Sequence, residues 1–255
     1  MPLHFLLPPT ADALVPGHGA TDVQPGEAVV LTGTEAHHAS AVRRVRVGEE
    51  VTVGDGRGTW LTGHCEAASP REVVVRVTAR EDTAAPHPRI VLAQALAKGD
   101  RDELAVQAAT ELGVDEIVPW QAARSVSRWD AAKAEKGRAR WSTIVREAAK
   151  QAHRAWVPEV APLATTAALA ERAAGSRFVV LEPSAASRLT DLDLGGADPR
   201  EVVLVVGPEG GIAPEELSAL EQAGASLARL GDTVLRTSTA GPAALAVVSV
   251  ALQRW

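Results

Sequence analysis

The sequence predicts an α/β protein in which a small β-barrel domain precedes a parallel sheet with helices on both faces. Three observations lead to this prediction. Short β segments fill the chain up to about residue 82, an Ala- and Pro-rich stretch without periodicity follows at Asp82–Pro88, and strands alternate with helices from Ile90 onward. At 255 residues the chain is long enough for one domain and a smaller companion. We expect them at residues 1–82 and 89–255.

The predicted strands of the first domain are short and rich in β-branched residues, with Gly and Asp turns between them. The sequence GDGRG at Gly54–Gly58 is typical of a hairpin connection. Several short strands of this kind indicate a small barrel. The strands are Ala28–Leu31, Val51–Gly54, Thr59–Cys65 and Arg71–Arg80.

Apolar runs predict the buried strands of the second domain. A parallel sheet covered on both faces has no solvent-facing side, so its strands are apolar throughout rather than alternating. The runs are IVLAQALA from Ile90, EIVPW from Glu116, FVVLEP at Phe178–Pro183, EVVLVVG at Glu201–Gly207 and a short segment near Leu227–Leu230.

Four helices are predicted among these strands. Asp100 and Glu103 can form a capping box for the first. A long basic helix spans residues 130–154 with an apolar stripe on one side, another begins near Pro214, and the last begins near Pro242. The stripe comprises Ala134, Trp141, Val145, Ala148 and Ala152. The last helix is apolar almost all round, so we expect it to be buried in the core or against a partner subunit.

The charge distribution leaves nucleic-acid binding open. A net charge of −6 disfavours it at first, but residues 122–154 carry nine Lys or Arg against three acidic residues, a local net charge of +6. Such a segment can meet phosphates even on an acidic protein. A solvated helix face explains the same pattern, and the pattern alone favours that interpretation.

Other features bear on compartment and metal binding. The first 15 residues lack a basic region and are interrupted by Pro8 and Pro9, so we do not expect a signal peptide. No apolar run approaches the roughly 20 residues of a membrane span. The single Cys65 cannot form an internal disulfide, which suits a cytoplasmic protein. No Cys or His cluster has the spacing of metal ligands, and we expect no metal.

The segment Gly207–Gly211, GPEGG, follows a predicted buried strand and precedes a helix. The crevice beyond the carboxyl end of such a strand is where open α/β sheets bind ligands. The segment matches neither dinucleotide nor phosphate-loop patterns, and Glu209, Glu215 and Glu216 would repel phosphate. An acidic, glycine-rich loop better fits a neutral or cationic ligand such as S-adenosylmethionine (SAM). A glycine-rich turn without a ligand stays an alternative.

A second loop, Leu230–Thr237, follows the last short strand. Its backbone could hold an adenine ring, and Ser238 or Thr239 could cap the final helix. By itself, the loop is better explained by a capped connection without a ligand.

Together these segments resemble the carboxyl-terminal domain of the SPOUT methyltransferases, and more closely the ribosomal RNA small subunit methyltransferase E family. GPEGG and VLRT at Val234–Thr237 are the most specific pieces. Glu35–Gly58 resembles the family's H-x-x-x-VLR segment and barrel, Lys98–Trp120 its K-x-x-x-x-E…ELGV stretch, and Trp141–Val160 its long helix. The resemblance therefore runs over nearly the whole chain.

The resemblance implies a PUA-like barrel followed by an α/β domain with a trefoil knot near its carboxyl terminus. Three loops would surround SAM: the one after FVVLEP, GPEGG, and LGDTVLRT. It also implies a homodimer with the active site at the subunit boundary. The implied cofactor-binding residues are Leu181, Gly207, Pro208, Glu209, Gly210, Gly211, Leu230, Gly231, Leu235 and Thr237.

The implied reaction is methyl transfer from SAM to N3 of a uridine in 16S ribosomal RNA of the small subunit, near the decoding centre. Arg236 is the candidate catalytic residue, which would stabilise the developing imide anion or hold the RNA phosphate. An ion pair between Arg236 and an acid such as Glu209 is an equally open role. The implied RNA-binding residues are Arg43, Arg44, Arg46, Lys98, Arg124 and Arg154.

The chain departs from the family pattern at several positions. Thr237-Ser238-Thr239 stands where Thr-Glu-Thr is common, Ala108 where Lys is usual, and Lys150 at an acidic position. The Ser238 departure keeps one alternative open, a non-catalytic RNA-binding or ribosome-assembly factor. A second alternative, a SPOUT methyltransferase with another RNA target, is disfavoured by the family-like amino-terminal half. A nucleotide- or NAD-binding enzyme is disfavoured because GPEGG lacks basic and hydroxyl groups for phosphate.

Overall fold

The computed structural model describes residues 2–7, 22–195 and 198–255. It divides into two compact units, one of Met1–Ala85 with Lys150–Val157, the other of Pro86–Ala149 with Pro158–Trp255. Residues 150–157 pack with the amino-terminal unit, although the sequence predicts them within the second domain. Of the amino-terminal segment assessed above for a signal peptide, residues 8–15 lie outside the described residues.

The first unit contains a five-stranded sheet in the order β1-β3-β4-β5-β2. All four predicted strands are present: three are extended by one to three residues, and the fourth begins at Glu72 instead of Arg71 and ends at Asp82. The strand β1 was missed: it has only four residues and pairs in parallel with β3, Leu3 opposite Val51, so its partner lies far along the chain. The strands are β1 Leu3–Leu6, β2 Ala28–Thr32, β3 Glu50–Gly54, β4 Thr59–Ala68 and β5 Glu72–Asp82.

A buried ion pair explains why residues 150–157 join the first unit. Lys150 Nζ lies 3.1 Å from Glu35 Oε1, and both residues are more than 90% buried. Glu35 belongs to the short helix α1, Gly33–His37, and also accepts a hydrogen bond from the backbone N–H of Leu6. Burying either charge alone would be costly. Lys150 therefore belongs to a core contact and not to the solvated basic face.

The second unit is built on a six-stranded sheet in which every strand is parallel. Its order is β11-β9-β10-β6-β7-β8. Every residue of β6, β7, β9 and β10 is buried, which confirms the predicted parallel sheet covered on both faces. The strands are β6 Ile90–Ala95, β7 Glu116–Trp120, β8 Glu159–Val160, β9 Arg177–Leu181, β10 Val202–Val206 and β11 Ser226–Ala228.

The remaining helices are α2 Arg101–Glu111, α3 Ala131–Gln151, α4 Thr166–Ala173, α5 Pro214–Gln222 and α6 Thr237–Ala251. On α3, the stripe residues Trp141, Val145 and Ala148 are buried as predicted. The capping box predicted for α2 is wrong. Asp100 occupies the N-cap position without a side-chain cap bond, and Glu103 instead forms an ion pair with Arg140 of α3.

The last helix also begins earlier than predicted. It starts at Thr237, and Pro242 lies inside it, while Arg236 is the N-cap with extended backbone. The prediction that Ser238 or Thr239 caps this helix is therefore wrong. The Thr237 hydroxyl donates to Gly207 O at 2.9 Å and anchors the helix start one turn upstream of Pro242.

An ion-pair network joins the amino ends of β7 and β10. Arg172 of α4 forms paired hydrogen bonds with the carboxylates of Glu116 and Glu201, at distances between 2.6 and 2.8 Å. Arg89 adds a further contact to Glu116 at 3.0 Å. Paired guanidinium–carboxylate bonds are strong and directional, so Arg172 holds two strands and a helix together. Over the described ranges, no helix is long and apolar enough to cross a membrane.

Candidate functional site

A cavity of about 460 Å³ opens at the carboxyl ends of β9, β10 and β11, three neighbouring strands of the second unit. Its walls come from the loops that follow these strands, from the first turns of α6 and from Arg101 of α2. The carboxyl edge of a parallel sheet is where ligands bind in open α/β folds. Nine of the ten residues assigned to cofactor binding line this cavity, and so does Arg236.

The tenth, Gly210, does not line the cavity but supports its wall. Its carbonyl accepts a hydrogen bond from Arg124 Nη1 at 3.3 Å. The neighbouring Gly211 has a φ of +72°, a conformation that side chains rarely adopt. A Cβ on Gly207 would lie only 2.6 Å from Ile212 Cγ1. Gly207 and Gly211 are thus required by the shape of the loop itself.

Glu209 is held by hydrogen bonds from Lys98 and Arg101. Its Oε1 accepts hydrogen bonds from the backbone N–H of Lys98 at 3.0 Å and from Arg101 Nη1 at 3.1 Å. Burial raises the pKa of this carboxyl, but the backbone hydrogen bonds and Arg101 outweigh burial and leave the pKa below its ordinary value. Glu209 is therefore a carboxylate at neutral pH, and it ties the Lys98 loop to GPEGG.

Arg236 does not pair with Glu209, so that alternative role is not realised. Among the described residues, its guanidinium has no ion-pair or hydrogen-bond partner; it is exposed and lines the cavity. It follows directly after Leu235 and precedes the first turn of α6. An unneutralised cation at this place can meet an anionic or developing negative group of a second reactant.

The comparisons with known proteins agree with this arrangement. A family model described as an RNA methyltransferase domain matches residues 84–249, and one described as an RNA methyltransferase PUA domain matches residues 31–78. A ribosomal RNA small subunit methyltransferase E from Mycobacterium bovis is 44% identical over 90% of this chain and 89% of its own. The chain belongs to the ribosomal RNA small subunit methyltransferase E family.

Two further relatives extend the match. The ribosomal RNA small subunit methyltransferase E of Bacillus subtilis is 31% identical over 86% of this chain and 88% of its own. The crystal structure of the Neisseria gonorrhoeae enzyme of that name, bound to SAM, superposes with a TM-score of 0.83 at 29% identity, covering 99% of this chain and 98% of the other. The fold predicted from the sequence, a parallel α/β domain after a PUA-like domain, is thereby confirmed.

The residues that the family resemblance assigns to RNA binding lie in both units. Arg43, Arg44 and Arg46 are exposed on the first unit. In the second unit Lys98 and Arg124 are exposed, and each contacts GPEGG, Lys98 through its backbone and Arg124 through its guanidinium. Arg154 belongs to the first unit and is only half exposed. Lys98 and Arg124 therefore stand beside the cavity of this methyltransferase.

Sequence reasoning missed several residues of the cavity wall. Glu182 and Pro183 follow β9 directly, so their position after a buried strand could have identified them. Arg229 follows β11 in the same way, whereas Arg101 carried no such signal, because it belongs to a helix that starts more than 100 residues before GPEGG. The described residues contain no group of three or more His, Cys, Asp or Glu side chains that could hold a metal ion.

Proposed function

We propose that this protein transfers the methyl group of SAM to N3 of a uridine in the RNA of the small ribosomal subunit, near the decoding centre. The observation that carries the proposal is the cavity at the ends of β9, β10 and β11, in a chain 44% identical to a curated small-subunit RNA methyltransferase. The related gonococcal structure contains SAM. Because the substrate is ribosomal RNA, a cytoplasmic location is part of the proposal.

The cavity wall suits SAM chemically. Leu181, Leu230 and Leu235 provide apolar surface for an adenine ring, and the backbone of the loops provides donors and acceptors for its edge. Glu182 and Glu209 offer carboxylates toward a cationic ligand. A phosphate-bearing nucleotide would meet these acids without the Lys and Ser or Thr of a phosphate loop. The lack of that motif favours SAM over a nucleotide, although the wall also contains Arg101, Arg229 and Arg236.

In this reaction the protein positions two reactants and stabilises charge. SAM, when bound, supplies an electrophilic methyl carbon on a positively charged sulfur. The uridine N3 must lose its proton before or during attack, so negative charge develops on the imide. Arg236 lines the cavity without a partner among the described residues, and in this proposal it stabilises that charge. Gly207–Gly211 and Leu230–Thr237 hold the cofactor.

Two structural features accompany the proposal. The first is a trefoil knot formed by the segment that carries the three cavity loops, which would hold them around the cofactor; knots are rare in proteins. The second is a homodimer in which α6 contributes to the interface. Near the end of α6, Val250 and Trp255 are each 62% exposed, and such apolar exposure favours contact with a second copy.

A methylation assay tests the function. Purified protein is incubated with labelled SAM and small subunits from a strain lacking the gene, and reverse transcription maps the product, since a methyl at uridine N3 blocks base pairing. A single new stop at a decoding-region uridine supports the proposal. Label at another nucleotide would reject the uridine assignment. No label, with SAM demonstrably bound, would favour the non-catalytic RNA-binding alternative that Ser238 leaves open.

The exposed arginines of the first unit should control the salt dependence of RNA binding. Replacing Arg43, Arg44 and Arg46 together by alanine is expected to lower the slope of log K against log salt by about 2 to 3, since each phosphate contact contributes about 0.7 to 0.9. Filter binding at several salt concentrations measures the slope. Arg71→Ala, an exposed position of the same unit, is the control. An unchanged slope in the triple variant would exclude these residues from phosphate contact.

A further inference from the structure

Gln94 is a fully buried polar side chain in the middle of the apolar parallel sheet. The other five residues of β6 are apolar, and all six are buried. Burying an amide in such surroundings is unfavourable unless it forms hydrogen bonds. Gln94 lies opposite Val206, the last residue of β10, but it is not among the residues that line the cavity. Ligand contact therefore does not explain why this polar side chain is buried here.

The amide of Gln94 bonds to the start of the last helix. Its Nε2 donates to Thr237 Oγ1 at 2.9 Å and to the carbonyl of Ala95 at 3.3 Å, whereas its Oε1 is buried without a hydrogen-bond partner among the described residues. The Thr237 hydroxyl in turn donates to the carbonyl of Gly207 at 2.9 Å. An amide NH₂ group can only donate, so it directs the hydroxyl proton toward the carbonyl. The three groups form a relay with one direction, from Gln94 through Thr237 to Gly207.

The relay joins three segments that meet beneath the cavity. Gly207 follows β10 and Thr237 begins α6, and both line the cavity, whereas Gln94 anchors them to β6. The helix lies close to that strand, since a Cβ on Gly241 would come within 3.0 Å of Leu92 Cδ1. The backbone position of Arg236, next to Thr237, depends on the same anchor.

The relay also occupies the Thr237 hydroxyl. Thr237 is 7% exposed, its single proton goes to Gly207, and it accepts from Gln94. Its hydroxyl proton is therefore committed to the protein and is not donated to a ligand. This gives Thr237 a positioning role beside the cofactor contact that the family resemblance implies.

We propose that Gln94 is a positioning residue for SAM binding, which acts through the Thr237 hydroxyl to set the backbone of Gly207 and the start of α6. The proposal rests on the proposed function, because it requires the cavity to hold SAM. It assigns a role in cofactor affinity to a side chain that does not line the cavity. It also predicts that Thr237 acts through its hydroxyl and not through its methyl group.

Four variants test the relay by titration calorimetry with SAM. Thr237→Val and Gln94→Leu are each expected to weaken SAM binding about tenfold, the scale of a lost hydrogen bond between buried groups. Thr237→Ser, which keeps the hydroxyl, should retain the affinity within about threefold. The double variant should be little weaker than either single one, since both substitutions break the same chain of bonds.

Arg172→Ala is the stability control, because it weakens the opposite end of the same sheet and leaves the cavity residues intact. It should lower Tm and retain SAM affinity. Unchanged SAM affinity in Gln94→Leu, equal losses in Thr237→Ser and Thr237→Val, or losses that multiply in the double variant would each overturn the relay. A fall in SAM affinity that accompanies the fall in Tm of Arg172→Ala would also overturn the relay, because lower stability alone would then explain weaker binding. If the unsubstituted protein binds no SAM, the proposed function itself fails.

Discussion

Replacing Arg236 by alanine is expected to lower kcat for RNA methylation about 10²- to 10³-fold, the scale observed when one charge-stabilising donor is removed from an active site. The guanidinium is exposed beside the cavity and, among the described residues, is not neutralised by a neighbouring acid. Its charge is thus available in the transition state, where the imide of the target base becomes negative. SAM affinity should change less than about threefold, because the methyl donor carries a positive sulfur and gains nothing from a cation.

Two variants make the Arg236 experiment specific. Arg236→Lys keeps the positive charge but lacks the planar guanidinium group, so a kcat between those of the unsubstituted protein and Arg236→Ala is expected. Arg200→Ala removes an exposed arginine at the amino end of β10, paired with Asp198, and should leave kcat unchanged. Parallel loss of SAM affinity and kcat in Arg236→Ala would show that this residue holds the cofactor. An unchanged kcat would remove it from the reaction.

Replacing Arg172 by alanine is expected to lower the free energy of unfolding by about 3 kcal/mol, the scale of breaking a buried ion pair by removing one partner. Glu116 keeps only Arg89 in that variant, and Glu201 loses both of its guanidinium bonds. Urea denaturation measures the change. Arg200→Ala, whose pair with Asp198 is exposed, should have little effect on stability. Equal stabilities of the two variants would contradict the network.

The pH dependence of stability provides a second test of Arg172. Burial raises the pKa of Glu116, but the hydrogen bonds and charge of Arg172, with Arg89, outweigh burial and leave the pKa below its ordinary value of 4.5. A depressed folded-state pKa stabilises the protein above pH 4.5, and this contribution is lost as the pH falls through the lower folded value. Without Arg172 the largest contributions that lower the pKa of Glu116 are removed, so this pKa rises and the loss of stability below pH 4.5 should be smaller in Arg172→Ala than in the unsubstituted protein.

Much of the architecture could be predicted from local patterns. The strand β10 is an unbroken apolar run, and β6 and β9 are apolar except for Gln94 and Arg177. The stripe on α3 has helical spacing, so the local apolar patterns identify all four elements. The position of GPEGG after β10 could also be predicted from the sequence, because ligands bind at the carboxyl edge of a parallel sheet, where a buried strand ends in glycines. The family and its cofactor followed from GPEGG and VLRT in their order along the chain.

Contacts between residues far apart in the chain could not be read in this way. The start of α6 at Thr237 instead of Pro242 depends on the bond to Gly207, and the role of Gln94 depends on Thr237, 143 positions later. Lys150 looked like part of a basic face until Glu35 supplied its buried partner. Local sequence determines which segments are apolar and where turns form, because those preferences act over a few residues. Which polar groups meet is decided only when the sheet brings distant segments together.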